Sequence, residues 1–145
     1  MDINIRIAGS AGQGVETSGD LLVDAFAGLG LHVFSTQTYM SRIRGGLNWY
    51  DVRIADTELF SAREKADLLL ALTEEAREWL RAEVSEGGVT LFNGSGQSDV
   101  IAIEFAGVAK EVGGTAIMAN TVAAGAVFGL LGYDVGMLES ELGAR

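Results

Sequence analysis

Two short segments of this sequence carry residue types that suit the binding of an anion. The first is a glycine-rich run at residues 9–14, which follows a predicted strand and precedes a predicted helix. Such a turn directs backbone N–H groups and the positive end of the helix dipole at one point, where phosphate or carboxylate binds well. Glycines also permit a tight turn and close packing of helix on sheet, with no ligand involved. The residues alone favour neither anion binding nor a purely structural turn.

The glycine run departs from both common nucleotide-binding motifs. A P-loop ends in Gly-Lys-Ser/Thr, whereas Gly14 is followed by Val15 and Glu16. A dinucleotide fingerprint needs a third glycine where Thr17 stands, and an acidic residue about 20 positions further on, where residues 36–38 read Thr-Gln-Thr. Glu16 would also repel a phosphate placed at the helix N-terminus. These departures argue against a nucleoside triphosphatase and against a free-standing nucleotide-binding protein.

The second segment, residues 38–46, is the one local excess of positive charge in an acidic chain. Arg42 and Arg44 are two positions apart and share a face if the segment is extended. Arginine binds carboxylate or phosphate through paired N–H groups, and Tyr39 can stack on a ligand. The pair of glycines that follows allows close approach of a ligand or of another chain. A solvated loop whose arginines pair with nearby acids is the alternative.

Alternating and apolar runs predict the elements that position these segments. Strands are predicted at residues 3–8, 31–36, 47–54, 67–72, 89–92 and 100–103, and helices at residues 15–29, 74–84, 105–112 and 121–131. Residues 37–46 are expected to form a polar loop, and residues 137–142 a last amphipathic turn. This alternation predicts one Rossmann-like domain over residues 1–145, a three-layer α/β/α fold with a mostly parallel sheet.

Two of the predicted helices carry more specific expectations. Thr73 is expected to cap residues 74–84, whose buried stripe would be Ala76, Trp79, Leu80 and Val84. Residues 121–131 are apolar all round, so this helix is expected to be buried, with Asn120 as its cap. In a doubly wound sheet, loops at the carboxyl ends of strands face the ligand crevice. The glycine run and the arginine segment each follow a strand, so we expect them to lie side by side.

Composition excludes several functional classes. The chain has 145 residues, no Cys, one His and a net charge of −10. The absence of Cys excludes disulfides, thiolate zinc sites and iron–sulfur ligands, and one His cannot form a multi-histidine metal site. The acidic balance argues against nucleic-acid binding. Because there is neither a signal peptide nor an apolar run of about 20 residues, we expect a cytoplasmic protein without a membrane partner. No residue is assigned as catalytic or as a metal ligand.

Taken in order, these motifs resemble the gamma domain of 2-oxoacid:ferredoxin oxidoreductases. The resemblance rests on the strand, glycine run and helix, then Tyr39, the Arg-Gly-Gly element at residues 44–46, a hydrophobic strand, and Asn120 before a helix of small residues. It extends from residue 3 to about residue 142. Residues 41–46 are most similar to versions fused ahead of the thiamine-dependent alpha part, as in 2-oxoglutarate-type enzymes. Ala11 departs from the family's usual Gly-x-Gly-Gly.

The resemblance implies a role within a larger enzyme. These complexes oxidatively decarboxylate a 2-oxoacid such as pyruvate or 2-oxoglutarate, form an acyl-coenzyme A and reduce ferredoxin. The gamma component helps to bind coenzyme A and covers the active site, while thiamine diphosphate and iron–sulfur clusters lie in partner domains. The implied partners are the alpha, beta and ferredoxin-like components and ferredoxin itself, in an oligomer. Gamma domains usually continue further, so a C-terminal truncation is expected, and the isolated chain is expected to be inactive.

The residues implied for coenzyme A binding are those that match the family motifs by position. They are Gly12, Gln13, Gly14, Tyr39, Arg44, Gly45, Gly46 and Asn120. The alternative is a non-catalytic docking module whose Arg-Gly-Gly loop contacts only partner subunits. The sequence does not separate binding from docking for any of these residues.

Overall fold

The computed structural model describes residues 1–10, 14–40, 46–95, 99–112, 119–134, 136 and 138–139. Its strands are β1 (Asp2–Ser10), β2 (His32–Met40), β3 (Leu47–Ala55), β4 (Ala66–Ala71), β5 (Val84–Asn93) and β6 (Ile101–Ile103). Its helices are α1 (Val15–Gly28), α2 (Glu74–Leu80), α3 (Phe105–Glu111) and α4 (Ala119–Leu130), with a 3-10 turn at Arg81–Glu83.

The strands form a six-stranded sheet in the order β2-β3-β1-β4-β5-β6. β1, β4, β5 and β6 are mutually parallel, whereas β3 runs antiparallel to both of its neighbours. The predicted mostly parallel sheet is therefore confirmed, with β3 as the exception. The short connection after β2 explains that exception, because parallel neighbours need a crossover of about a dozen residues.

β2 is longer than the sequence pattern predicts. Residues 37–40 pair with the beginning of β3, from Gln37 opposite Tyr50 to Met40 opposite Leu47. The prediction of a polar loop from residue 37 onward is therefore wrong for these four positions. Cross-strand pairing with β3 keeps them extended although Gln37 and Thr38 interrupt the apolar pattern.

Helices pack on both faces of the sheet, which confirms the three-layer architecture. On one face α1 lies against β1, β2 and β3, and α4 packs on α1. Phe26 of α1 and Phe128 of α4 meet there with ring centres 4.8 Å apart. On the other face α2 covers β1, β4 and β5. β4 contributes to the hydrophobic cores on both faces of the sheet. Leu70 lies in the core beneath α1 and α4, and Leu69 lies in the core beneath α2.

The capping prediction for α2 is confirmed, but its buried stripe is narrower than expected. The Ala76 N–H donates to Thr73 Oγ1 at 3.0 Å, and Ala76 and Leu80 are buried. Trp79 is 51% exposed although it is three residues from Ala76, because the helix ends at Leu80 and its last turn is only partly covered. Val84 begins β5 instead of continuing the helix. The prediction was therefore wrong for these two residues.

α4 also differs from its prediction. It begins at Ala119, so Asn120 lies within its first turn and is not its cap. One face is buried, through Ala123, Ala124, Val127 and Phe128. Leu130 at its C-terminal end is 43% exposed, so the helix is not enclosed on all sides. None of the helices in the described part of the chain has the length and apolar character to cross a bilayer. Of the predicted last turn, Leu138 is buried, while residues 137 and 142 lie outside the described residues.

Candidate functional site

A cavity of about 490 Å³ opens where five elements of the fold meet. It lies at the carboxyl end of β1, the N-terminus of α1, the end of β2, the start of β3 and the first turn of α4. Its volume falls within the range of about 300–1,000 Å³ that is usual for small-molecule sites. The residues around it are Ser10, Gly14, Val15, Glu16, Thr17, Gln37, Tyr39, Asn48, Trp49 and Asn120.

Gly14 and Asn120 form the contact between the two helices at this cavity. Gly14 precedes α1 with φ +84°, a left-handed conformation that favours glycine. The Asn120 amide packs directly on the Gly14 Cα, so that a Cβ at this position would overlap it. The structure thus brings together two predicted site residues that are distant in sequence. The prediction that Asn120 caps α4 is wrong. Asn120 lies inside α4, and its side chain packs on Gly14, the residue before α1.

Tyr39 reaches the same cavity from β2. Its hydroxyl donates to Gln37 Oε1, which lies two residues earlier on the same face of the strand. The Tyr39 ring is 63% exposed, so it is accessible to a ligand. Asn48 lies directly opposite Tyr39 in β3 and also lines the cavity.

The other predicted site residues do not join this group. Gly46 precedes β3 with φ +68° and is not among the residues that line the cavity. Its left-handed conformation agrees with a turn that needs glycine at that position. Gly12, Gln13, Arg44 and Gly45 lie outside the described residues.

The cavity is polar and nearly uncharged in the described part of the chain. Glu16 is the one lining residue there whose side chain carries a charge. Most of the other lining residues carry a side-chain hydroxyl or amide and so provide both donors and acceptors, and the first turn of α1 adds the positive end of its dipole. This arrangement suits a ligand with several hydrogen-bonding groups. No group of metal-ligating side chains occurs among the described residues.

Tyr50 on β3 anchors α1 just behind the cavity. Its ring lies against Gly19, where a Cβ would come within 2.5 Å of ring atoms, and its hydroxyl donates to Asp20 Oδ1 at 2.8 Å. Burial, reinforced by the hydrogen bond to Asp20, raises the pKa of Tyr50 from 10.0 to about 12. We did not single out Tyr50 from the sequence, although its place in an alternating strand indicates burial.

Replacing Tyr50 with Phe should reduce the loss of stability at high pH. In the wild-type chain the unfolded state ionises this hydroxyl near pH 10, whereas the folded state holds its proton to about pH 12. The native state therefore binds more protons in that window, and stability falls as pH rises through it. Urea denaturation at pH 9 and pH 11 measures the effect. Tyr39→Phe, which leaves Tyr50 in place, should retain the wild-type loss; an equal loss in Tyr50→Phe would contradict the prediction.

On the opposite face of the sheet, Arg6 supports the cavity residue Trp49 from within the protein. Its guanidinium binds Asp51 through two hydrogen bonds of 2.7 and 3.1 Å, and also Glu83 and the Glu64 carbonyl. It lies 5.7 Å from the centre of the Trp49 ring. The Arg6 and Asp51 side chains are 5% and 8% exposed. Burial raises the pKa of Asp51 even though Arg6 acts to lower it.

The sequence matches the family described as pyruvate ferredoxin/flavodoxin oxidoreductase over residues 4–145. Subunit KorC of 2-oxoglutarate synthase from Archaeoglobus fulgidus is 33% identical, over 99% of this chain and 79% of the relative. Subunit VorA of a ketoisovalerate oxidoreductase from Methanothermobacter thermautotrophicus is also 33% identical, over 92% of this chain and 30% of the relative. The chain therefore spans most of one relative and less than a third of the other.

Two solved structures share the fold closely. A 2-oxoglutarate:ferredoxin oxidoreductase from Magnetococcus marinus, with 2-oxoglutarate, coenzyme A and succinyl-CoA bound, has a TM-score of 0.82 and 29% identity, over 97% of this chain and 26% of that chain. The gamma subunit of a keto/oxoacid ferredoxin oxidoreductase from Geobacter sulfurreducens has a TM-score of 0.80 and 30% identity, over 99% of this chain and 86% of that subunit. The resemblance found in the ordered motifs is confirmed: this chain belongs to the pyruvate ferredoxin/flavodoxin oxidoreductase family and has the fold of its gamma subunits.

Proposed function

We propose that this chain is the gamma component of a 2-oxoacid:ferredoxin oxidoreductase of the 2-oxoglutarate type, and that its cavity contributes to coenzyme A binding. The observation that carries the proposal is the meeting of Gly14, Tyr39 and Asn120 at one cavity beside a helix N-terminus. The similarity to KorC and to a structure with bound coenzyme A supports the substrate class.

The lining of the cavity fits the chemistry of coenzyme A in part. The pantetheine arm of coenzyme A carries two amides and a hydroxyl, which match the side-chain hydroxyls and amides around the cavity. N–H groups in the first turn of α1 suit a phosphate, but Glu16 in that turn opposes one. The described residues thus fit the neutral arm better than the phosphates. Arg42 and Arg44, which follow β2 in the sequence, are the candidates for phosphate contacts.

The remaining chemistry belongs to other components. When bound in those components, thiamine diphosphate and iron–sulfur clusters supply the decarboxylation and the electron transfer. These 145 residues contain no cysteine and so offer no thiolate ligand to a cluster. The role that we assign to this chain is to bind and orient coenzyme A and to exclude water. Without its partners it should not reduce ferredoxin.

The relatives also support the choice of partner. The alpha subunit of a 2-oxoacid:ferredoxin oxidoreductase from Sulfolobus contains a stretch 29% identical to 75 residues of this chain, which is 12% of that subunit. The Magnetococcus structure likewise carries this fold as 26% of a longer chain. Domains joined in one chain work side by side, so an alpha component is the expected neighbour. Beta and ferredoxin-like components complete the proposed assembly.

Calorimetric titration of the chain with coenzyme A tests the binding role. Tyr39→Ala should weaken binding about tenfold, which is about 1.4 kcal/mol, because an exposed aromatic wall of the cavity is lost. Phe60→Ala is the matched control, since Phe60 is an exposed aromatic residue that does not line the cavity. Arg44→Ala tests the arginine segment in the same way. No heat at millimolar coenzyme A would contradict the proposal and favour the docking module.

A further inference from the structure

β2 lies at one edge of the sheet, with β3 on its inner side. In the part of the chain that the structure describes, no other strand pairs with its outer side. An edge strand presents a row of backbone N–H and C=O groups to which another strand can bind. The opposite edge strand, β6, has three residues, whereas β2 has nine. Within the described residues, β2 is therefore a long sheet edge with no second strand beside it.

β2 lacks the features by which edge strands usually avoid pairing. Its sequence, HVFSTQTYM, contains no Lys, Arg, Asp, Glu or Pro. Its register with β3 runs unbroken over nine residue pairs, from His32–Ala55 to Met40–Leu47. Charges, proline, bulges and short length are the common protections of an edge, and an exposed edge without them pairs readily. These properties indicate that another strand covers β2.

We propose that this strand is the β2 of a second copy, paired antiparallel about a two-fold axis at Thr36. The two sheets then join into one continuous sheet. A two-fold interface must be complementary to itself, since each contact occurs twice. In this register Thr36 lies opposite the partner's Thr36, and Ser35 lies opposite the partner's Gln37. The remaining pairs in this register are Phe34 with Thr38, Val33 with Tyr39, and His32 with Met40.

On one face of the joined sheet, Phe34 lies opposite the partner's Thr38. On the other face, Val33 lies opposite the partner's Tyr39. Tyr39 is 63% exposed in a single copy. Pairs of aromatic with β-branched residues, and of two threonines, stabilise antiparallel sheets, whereas like charges directly opposite destabilise them. No pair within β2 places like charges opposite each other, because the strand has none.

The charge of the whole chain predicts how this dimer responds to salt. Each copy carries a net charge of −10, so the two copies repel each other at long range. Salt screens that repulsion, with a Debye length that falls from about 30 Å at 0.01 M to about 8 Å at 0.15 M. Association should therefore strengthen as ionic strength rises. Docking through surface ion pairs would weaken under the same change.

Sedimentation equilibrium of the purified chain tests the dimer. The apparent mass should rise from 15.2 kDa toward twice that value with protein concentration, and more readily at higher salt. Thr36→Lys should weaken the dimer at least about tenfold, because it places two ammonium groups opposite each other. Circular dichroism checks that the variant folds. A chain that stays at 15.2 kDa up to about millimolar concentration overturns the proposal. The strand that pairs with β2 would then belong to a different subunit.

Single cysteines test the register, since the natural chain has none. Thr36→Cys should form a disulfide-linked dimer under mild oxidation, because directly opposite Cβ atoms lie about 4.5–5.5 Å apart. His32→Cys is the matched control on the same face of the strand. In the proposed register the two His32 positions lie eight residue steps apart, about 26 Å. Failure of Thr36→Cys to cross-link, or equal cross-linking by His32→Cys, overturns the pairing.

Discussion

Arg6→Met should lower the free energy of unfolding by about 3–5 kcal/mol at neutral pH. The substitution removes both hydrogen bonds to Asp51 and leaves that carboxylate buried without a counter-ion. The variant should also become relatively more stable in acid. Burial already raises the pKa of Asp51, and Arg6 is the group that lowers it, so the pKa rises further without Arg6. A raised folded pKa makes stability fall as pH increases.

Urea denaturation at pH 5 and pH 7 measures both effects, and the deficit should be larger at pH 7. The double variant Arg6→Met/Asp51→Leu should recover to within about 1 kcal/mol of the wild type, because an apolar pair leaves no buried charge. Arg53→Met is a control, since its ion pair with Asp2 is more exposed and should contribute much less to stability than the buried pair. If Arg6→Met cost no more than Arg53→Met, the buried pair would not have the importance that we assign to it.

Gly14→Ala should destabilise the chain by about 2–4 kcal/mol and abolish the coenzyme A binding that we propose for its cavity. Two costs combine at this position. The φ of +84° strains any residue with a Cβ, and that Cβ would overlap the Asn120 amide. Relief of the overlap requires either the Asn120 side chain to turn away or the first turns of α1 and α4 to separate, and both movements change the lining of the cavity. Urea denaturation and titration with coenzyme A measure the two losses.

Gly30→Ala separates strain from overlap. Gly30 has an almost identical φ of +85°, but no atom lies within 4 Å of the position that its Cβ would occupy. It should therefore cost only about 1 kcal/mol. Combining Gly14→Ala with Asn120→Ala removes the overlapping amide, and the two substitutions should couple by about 1–3 kcal/mol. Equal costs for Gly14→Ala and Gly30→Ala, with no coupling, would show that the helix contact contributes nothing.

The elements of this fold could be predicted where a local pattern reflects local burial. β1, β4 and α1 appear in the sequence as alternating, continuous or helical apolar patterns, and the structure places them accordingly. The end of β2 could not be predicted, because residues 37–40 show no regular apolar pattern and are extended through pairing with β3. The predicted burial of Trp79 was wrong for a related reason. Helical spacing predicts an apolar stripe, but the length of the helix decides which of its residues the sheet covers.

Part of the candidate site is visible in local sequence, but the buried ion pair that supports it is not. The glycine run before α1 and Tyr39 after a strand carry types that suit a ligand. Arg6 and Asp51, by contrast, appear as ordinary polar positions in two alternating strands. Their pairing depends on β3 lying beside β1, which no local pattern shows. Buried charges of this kind become evident only when the strand order is known.

The sequence by itself determined the fold class and the family, because hydrophobic periodicity and the order of motifs along the chain can be read without the tertiary structure. The tertiary structure decided the insertion of β3 between β2 and β1, the position of β2 at an edge of the sheet and the contact of Asn120 with Gly14. Each of these joins residues that are far apart in the chain. Such contacts follow from the packing of whole elements, and the free energy that selects them is shared by the entire core.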